Sequence, residues 1–281
     1  MHFGISMFPT DLSMNVVDLA RTVEDHGFES IWVPEHTHIP TRRVSPYPGK
    51  GELPPEYSRI IDPFVVLGAV AAATTSLRLG TGVCLVVERD PILLAKEVAS
   101  VDFLSGGRFL FGIGGGWNLE EMANHGTDPK RRFAVMKDRV LAMKAIWTND
   151  AAEYHGEFVN FDPIWQWPKP VQKPHPPIMI GGNGPLTLKR VVEYGDEWFP
   201  TPLAGDPSIF DRVEDLQRLA AEAGRGRIPV SVFLAGRPNP TWVERYQRIG
   251  VHRIVWLVPP VGAEEGRRRV AEAAEVATSF R

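Results

Sequence analysis

A single-domain (β/α)₈ barrel is the fold class this sequence predicts, and three observations predict it. A helical stretch, a glycine, two or three polar residues and a short β-branched run recur in that order along the chain. About eight such strands alternate with helices, which makes them parallel. The length of 281 residues suits one barrel, and no internal domain boundary is visible between 1 and 281. An open doubly wound sheet ranks below it, because no dinucleotide fingerprint follows the first strand.

The expected staves are 3–7, 30–34, 77–84, 109–113, 178–181, 197–200, 230–234 and 253–257. Gly27, Gly106, Gly195 and Gly250 stand where the preceding helices end, a place that favours a left-handed residue. Helical spacing shows in Val16, Leu19, Ala20 and Val23, in Phe133, Met136, Val140, Met143 and Trp147, and in Val213, Leu216 and Ala220. Two connections are too long for turns. The first, about 37–61, follows the second strand on the catalytic face and reads as a lid bearing Arg42, Arg43 and Lys50. The second, 150–177, precedes the fifth strand and holds a hairpin at EYHGEFVNF, then an aromatic, proline-rich stretch with Trp165 and Trp167.

Composition narrows the function. Thirty-one basic against 34 acidic residues leave a net charge of −3, which argues against nucleic acid or an acidic membrane as principal partner. The longest apolar run, 64–73, is shorter than the ~20 residues of a membrane span, and the N-terminus lacks a basic n-region, so a soluble cytoplasmic protein is expected. The single cysteine, Cys84, builds neither a disulfide nor a thiolate cage and reads as a buried thiol.

Two glycine clusters follow staves, Gly112-Ile-Gly-Gly-Gly-Trp-Asn118 and Gly181-Gly-Asn-Gly-Pro185. Neither completes GxGxxG, since Trp117 and Thr187 stand in the last positions, and no GxxxxGK[ST] occurs. Glycines before a helix that starts near Pro185 can still turn backbone N–H groups toward an anion. His36 and His38 form an HxH pair, but the later strand ends supply no further ligands, so no metal is expected. Glu35-His36 reads instead as an acid–imidazole pair at the barrel mouth, able to exchange a proton near neutral pH. Trp117 and the Trp165/Trp167 pair are candidate walls for a flat ligand, whereas Trp32 and Trp256 read as packing residues.

The whole set resembles the luciferase-like flavin or deazaflavin monooxygenase and oxidoreductase superfamily. The carriers are HFGISMFP, HGFESIWVPEH, RLGTGVCLVVERDPILLAKEVASVDFLSGGRFLFGIGGGWNLEEMANHG, FAVMKDRVLAMKAIW, YHGEFVNF and PPIMIGGNGPLTLKRVVEYGDEWFP. The resemblance implies a tricyclic cofactor at the mouth, with its phosphate on Gly181, Gly182, Asn183 and Gly184. It implies that Gly82–Val83 is a bulged, often cis, peptide behind the ring, and that Thr81 and the Gly115-Gly116-Trp117-Asn118 turn belong to the same cofactor site. Similarity is closest to the branch using the deazaflavin coenzyme F-420, whose acidic tail would suit the basic lid; FMN is the alternative, and a non-catalytic flavin-binding relative a third. The acid that follows the glycine loop in the sugar-phosphate dehydrogenases of that branch is Trp117 here, which leaves Glu120 and Glu121 as other candidate acids. A hydrophobic or conjugated small-molecule substrate near Trp117 and Met122 and a homodimer are the remaining expectations.

Overall fold

The computed structural model describes residues 1–49, 51–201 and 208–280. Its strands are β1 (His2–Met7), β2 (Ser30–Val33), β3 (Arg78–Thr81), β4 (Phe109–Ile113), β5 (Ala151–His155), β6 (Asn160–Trp165), β7 (Ile178–Gly181), β8 (Glu197–Phe199), β9 (Ser231–Leu234) and β10 (Arg253–Val258). Between them run α1 (Val16–Asp25), α2 (Pro63–Ala73), α3 (Pro91–Leu104), α4 (Leu119–Asn124), α5 (Arg132–Thr148), α6 (Thr187–Tyr194), α7 (Ser208–Glu222), α8 (Pro240–Arg248) and α9 (Ala263–Thr278).

Eight parallel strands pair in the order β8-β7-β4-β3-β2-β1-β10-β9. A bridge between Trp198 and Val230 joins the two ends, so the sheet closes into a barrel and the open-sheet alternative is excluded. Strands β5 and β6 form a separate antiparallel hairpin in the long connection before β7, where the sequence places one. The third stave is shorter than its sequence pattern: pairing ends at Thr81, the Gly82–Val83 peptide is cis, and Cys84 touches β4 only through a bridge to Ile113.

Two cores result. Inside the barrel Trp32, Leu110, Met179, Phe199 and Val255 pack together. Two staves carry glycine to make room: a Cβ on Gly80 would lie 2.2 Å from the Trp32 ring, and one on Gly112 2.0 Å from the Thr81 carbonyl oxygen. The larger core lies between strands and helices, and Trp256 is buried there, stacked on Phe3. Several helices start as capping rules require. Asp62 and Asp90 accept from the first free N–H groups of α2 and α3, and Pro63 and Pro91 follow them at the first helical position.

Gly27, Gly106 and Gly250 take φ of 72°, 64° and 76°, the left-handed turn expected of them. Gly195 differs, with φ −93°. It is glycine because a Cβ there would sit 2.5 Å from Ile180 Cγ1. Among the described residues no helix is long and apolar enough to cross a membrane.

Candidate active site

Every stave ends at one rim, and the loops that leave it form the mouth. His36 lies there just after β2, with its side chain 6% exposed. Its Nδ1 is 2.6 Å from Glu121 Oε2 on α4, and its Nε2 accepts from Trp117 Nε1 at 3.1 Å. An indole N–H can only donate, so Nε2 carries the lone pair and the neutral ring keeps its proton on Nδ1, facing the carboxylate. Both anchors bind through hydrogen bonds, leaving the imidazole one tautomer and one orientation.

This geometry corrects the Glu35–His36 pair. Both residues lie in the loop after β2, and their side chains go to different partners. Glu35 Oε1 accepts from Arg89 Nε and its Oε2 from the Leu85 N–H, both at 2.6 Å. Arg89 also holds Asp62 and Glu97. Glu35 is therefore a buried anchor for the segment after β3. The imidazole's acidic partner is Glu121, which the sequence offers only as one of two acids on a short helix.

The lid closes with aromatic rings. Tyr57 lies 5.4 Å from the His36 ring, and Tyr47, Tyr57 and Trp117 meet edge-on at 5.2 to 6.2 Å. Burial and the neighbouring Tyr47 hydroxyl push the Tyr57 phenol above its usual range. Glu120 fastens this lid, accepting from the Val44 and Ser45 N–H groups at 2.7 and 3.2 Å. Hydrogen bonds from Ser45 and Val44 hold its carboxyl down at about 2. Of the basic lid residues, Arg43 donates to the Ser45 carbonyl and lies 5.6 Å above Trp117, Arg42 is exposed, and Lys50 falls outside the described residues. His38 approaches Thr37 Oγ1 and Asn124 Nδ2, so it does not join His36 in an HxH pair. Among the described residues no three His, Cys, Asp or Glu side chains converge as a metal site.

The two glycine turns meet behind Val83. A Cβ on Gly114 would lie 2.7 Å from Val83 Cγ2, and one on Gly181 2.9 Å from Val83 Cγ1. In the turn after β7, Gly182 has φ 105°. The carbonyls there are taken: Trp198 Nε1 donates to Gly182 at 3.1 Å, and Arg212 donates to Asn183 and Gly184. The N–H groups of Gly182, Asn183 and Gly184 have no protein acceptor among the described residues. Among the described residues nothing lies nearer than 3.6 Å to a Cβ built on Gly182 or Gly184. Two further buried donors have no partner, Asn118 Nδ2 and Arg132 Nε. Arg132 and Arg190 both face the ring of Phe133, which packs on Gly115. An open backbone cradle with orphaned donors and two arginines fits a phosphate monoester or diester. The sequence signal for the arginines was absent, because they lie on α5 and α6 and meet only through Phe133.

Other assignments move. Thr81 is fully buried and its hydroxyl donates to the Gly112 carbonyl at 2.7 Å, so it fastens β3 to β4 and offers no group to a cofactor. Met122 is buried in the outer core, so it lines no substrate pocket. Trp165 and Trp167 lie on the hairpin side of α3, 84% and 55% exposed, with the Trp167 carbonyl bound to Lys96; they do not join the Trp117 cluster. Trp32 is interior packing, its Nε1 donating to Ser30 Oγ. Cys84 is buried, and burial pushes its thiol well up, so it is inert. Helix α6 starts at Thr187, two residues later than the sequence suggests.

The model of the family described as "Luciferase-like monooxygenase" matches residues 10–275. This chain belongs to the luciferase-like monooxygenase family. An uncharacterized protein of Mycobacterium tuberculosis is 41% identical over 278 residues, covering 98% of both chains. Two solved structures have the same fold across the chain. A monooxygenase of Streptomyces bottropensis gives a TM-score of 0.81 at 20% identity, covering 100% of this chain and 99% of its own. An F420-dependent secondary alcohol dehydrogenase in complex with an F420-acetone adduct gives 0.79 at 18%, with the same coverage. At these identities the two structures establish the luciferase-like barrel alone. Membership places the chain among oxidoreductases and monooxygenases of this superfamily.

Proposed function

We propose that the protein is an oxidoreductase that transfers a hydride between the deazaflavin coenzyme F-420 and a hydrophobic or conjugated organic substrate at the barrel mouth. The observation that carries this reading is the row of N–H donors at Gly182, Asn183 and Gly184 with no acceptor among the described residues, at the same rim of the barrel as an imidazole held in one tautomer. When bound, the coenzyme supplies the ring carbon that gives or takes the hydride. The chain's own residues do the rest. Gly182 to Gly184, with Arg132 and Arg190, would hold the phosphate; Val83 would back the ring; Asn118 Nδ2 would donate to its polar edge. His36 Nε2 would take or return the proton that accompanies the hydride, a role worth about 10²–10⁴-fold in rate. The aromatic rings of Tyr57 and Trp117 beside it favour a flat substrate. The exposed Arg42 and the Arg132/Arg190 pair favour a cofactor with an acidic tail over one without.

A second reading, an FMN-dependent monooxygenase using reduced flavin and oxygen, rests on the family match. Equilibrium titration of the purified protein with F-420 and with FMN separates them: tighter binding of FMN would overturn the first reading. Gly184→Val tests the cradle. Its added Cβ meets only Thr187 Oγ1, at 3.6 Å, so the fold should hold while affinity for either cofactor drops at least tenfold, about 1.4 kcal/mol. An unchanged dissociation constant would remove the phosphate from this turn. We also expect a homodimer through barrel helices, since Val65 of α2 and Leu93 and Leu104 of α3 are exposed. A monomer by sedimentation at micromolar concentration would count against it.

A further inference from the structure

Glu88 is the most anomalous side chain of the mouth. It follows β3 on a single 3₁₀ turn, Val86–Glu88, and its carboxyl is 1% exposed. Neither oxygen accepts from an N–H or O–H donor among the described residues, and the group in hydrogen-bonding contact with it is another carboxyl, Glu121. The charged groups that face it are Glu121 from α4, His125 at that helix's C-cap, Glu35 from the loop after β2, and its neighbour Arg89. Arg89 is already committed to Glu35, Asp62 and Glu97. A carboxylate left without a partner in such a place costs several kcal/mol, so the group stays neutral. Burial, then the charges of Glu121 and Glu35, raise its carboxyl to about 9.

Glu88 sits beside His125, the last member of a polar chain that starts at His36. Glu121 Oε2 meets His36 Nδ1 at 2.6 Å, and Glu121 Oε1 accepts from Thr37 Oγ1 at 3.5 Å. Thr37 Oγ1 in turn is 2.7 Å from His125 Nε2, and His125 Nε2 is 3.9 Å from Glu88 Oε2. His125 is 30% exposed, whereas the Glu121 side chain is 0% and that of His36 6% exposed. Water therefore reaches the chain at His125, next to Glu88, but not at the His36–Glu121 end. His125 caps the C-terminus of α4 four residues after Glu121, its N–H bonded to the Glu121 carbonyl, and both side chains reach Thr37.

We propose that Glu88 holds a proton in reserve for the His36 imidazole, and that His125, Thr37 and Glu121 form the path that connects both this store and solvent to it. The proposal deepens the function above, because it rests on His36 as the group that exchanges a proton with substrate. In the oxidative direction His36 Nε2 would take the proton that substrate releases, displacing the Trp117 N–H, while the bound coenzyme would supply the hydride acceptor. The Nδ1 proton then moves to Glu121, and a proton leaves Glu121 through the Thr37 hydroxyl to His125 and solvent. The reductive direction draws the proton from the Glu88 side and refills it by the same route. No electron moves along the path.

The test uses the full chain without cofactor, so it is separate from cofactor binding. Infrared difference spectra between wild type and Glu88→Gln should show a protonated carboxyl band at pH 7 in the wild type only, fading as the pH rises through about 9. With ¹⁵N-histidine label, exchange of the His36 Nδ1 proton with water should slow at least tenfold in Thr37→Val. It should recover in Thr37→Ser, and the backbone amides of α4 should exchange as before. Absence of the carboxyl band, or equal exchange in Thr37→Val and wild type, would overturn the store or the path respectively. Failure of F-420 to bind while both signals appear would overturn the cofactor assignment and leave the relay standing.

Discussion

The two ends of the barrel bury acids in opposite ways. At the floor, where the strands begin, Arg253 is buried and spans three acceptors. Its Nε and Nη2 donate to the two oxygens of Glu29 at 2.8 Å each, and its Nη1 donates to Ser231 Oγ at 2.8 Å and Glu197 Oε1 at 3.2 Å. Ser231 Oγ also donates to Glu197. Every charge there has a geometric partner, as buried ions require. At the mouth the imbalance is left in place: three buried glutamates, Glu35, Glu88 and Glu121, share one arginine, and it serves Glu35. The floor is built for permanence, while the mouth keeps donors and acceptors open for something that arrives.

The difference can be broken from either end. The largest effect is expected at the floor. Arg253→Leu strips the partner from Glu29 and Glu197 at once and should cost about 3–5 kcal/mol of unfolding free energy, read by urea denaturation. A loss below 1 kcal/mol would show that the floor charges are dispensable.

At the mouth the sign reverses. The Glu88 carboxyl is raised in the folded chain, so between its unfolded value near 4.5 and about 9 the native state binds more protons than the unfolded one, and stability falls as pH rises. Glu88→Gln removes that penalty. It should stabilise the protein by a few kcal/mol at pH 8 and hardly at all near pH 4.5, measured as the pH dependence of the melting temperature. Glu29 should show the converse. Burial alone would raise it, but hydrogen bonds and charge from Arg253 outweigh that and hold it low, so its contribution is present above the usual carboxyl range and lost as pH falls through its folded value. A Glu88→Gln variant whose gain did not depend on pH would mean that Glu88 is ionised in the native state.

The smallest effect belongs to the lid. Glu120 is half-buried on α4 and holds the lid through the Val44 and Ser45 N–H groups, so Glu120→Ala should lower the melting temperature by only a few degrees. Limited proteolysis within 37–61 should nonetheless accelerate. Equal cleavage rates would assign the lid's closure to Tyr47 and Tyr57 alone.

Much of this molecule is local and was therefore legible. Eight staves, the hairpin, and three of the four helix-ending glycines follow from period, β-branching and the cost of a Cβ at positive φ. The glycine turns after β4 and β7 are visible for the same reason, since only glycine leaves the backbone N–H groups at Gly182 and Gly184 uncovered.

What pairs with what was not legible. His36 meets Glu121 across 85 residues and Glu35 meets Arg89 across 54, and no local rule tells one glutamate of Glu120-Glu121 from the other. Adjacency made Glu35 look like the partner of His36; in the loop after β2 Glu35 is taken by Arg89 and Leu85, and His36 by Glu121. Gly195 looked like a turn residue and is instead the gap into which Ile180 packs. Glu88 carried no signal at all, because its neutrality comes from burial and from the charges that closure of the barrel sets around it. Sequence by itself determined the elements and where the chain could expose its backbone, since those depend on each residue's own conformational energy. Tertiary structure alone decided which acids are paired, which is protonated and which tautomer His36 holds, since those depend on desolvation and Coulomb terms between residues that only the fold brings within a few ångströms.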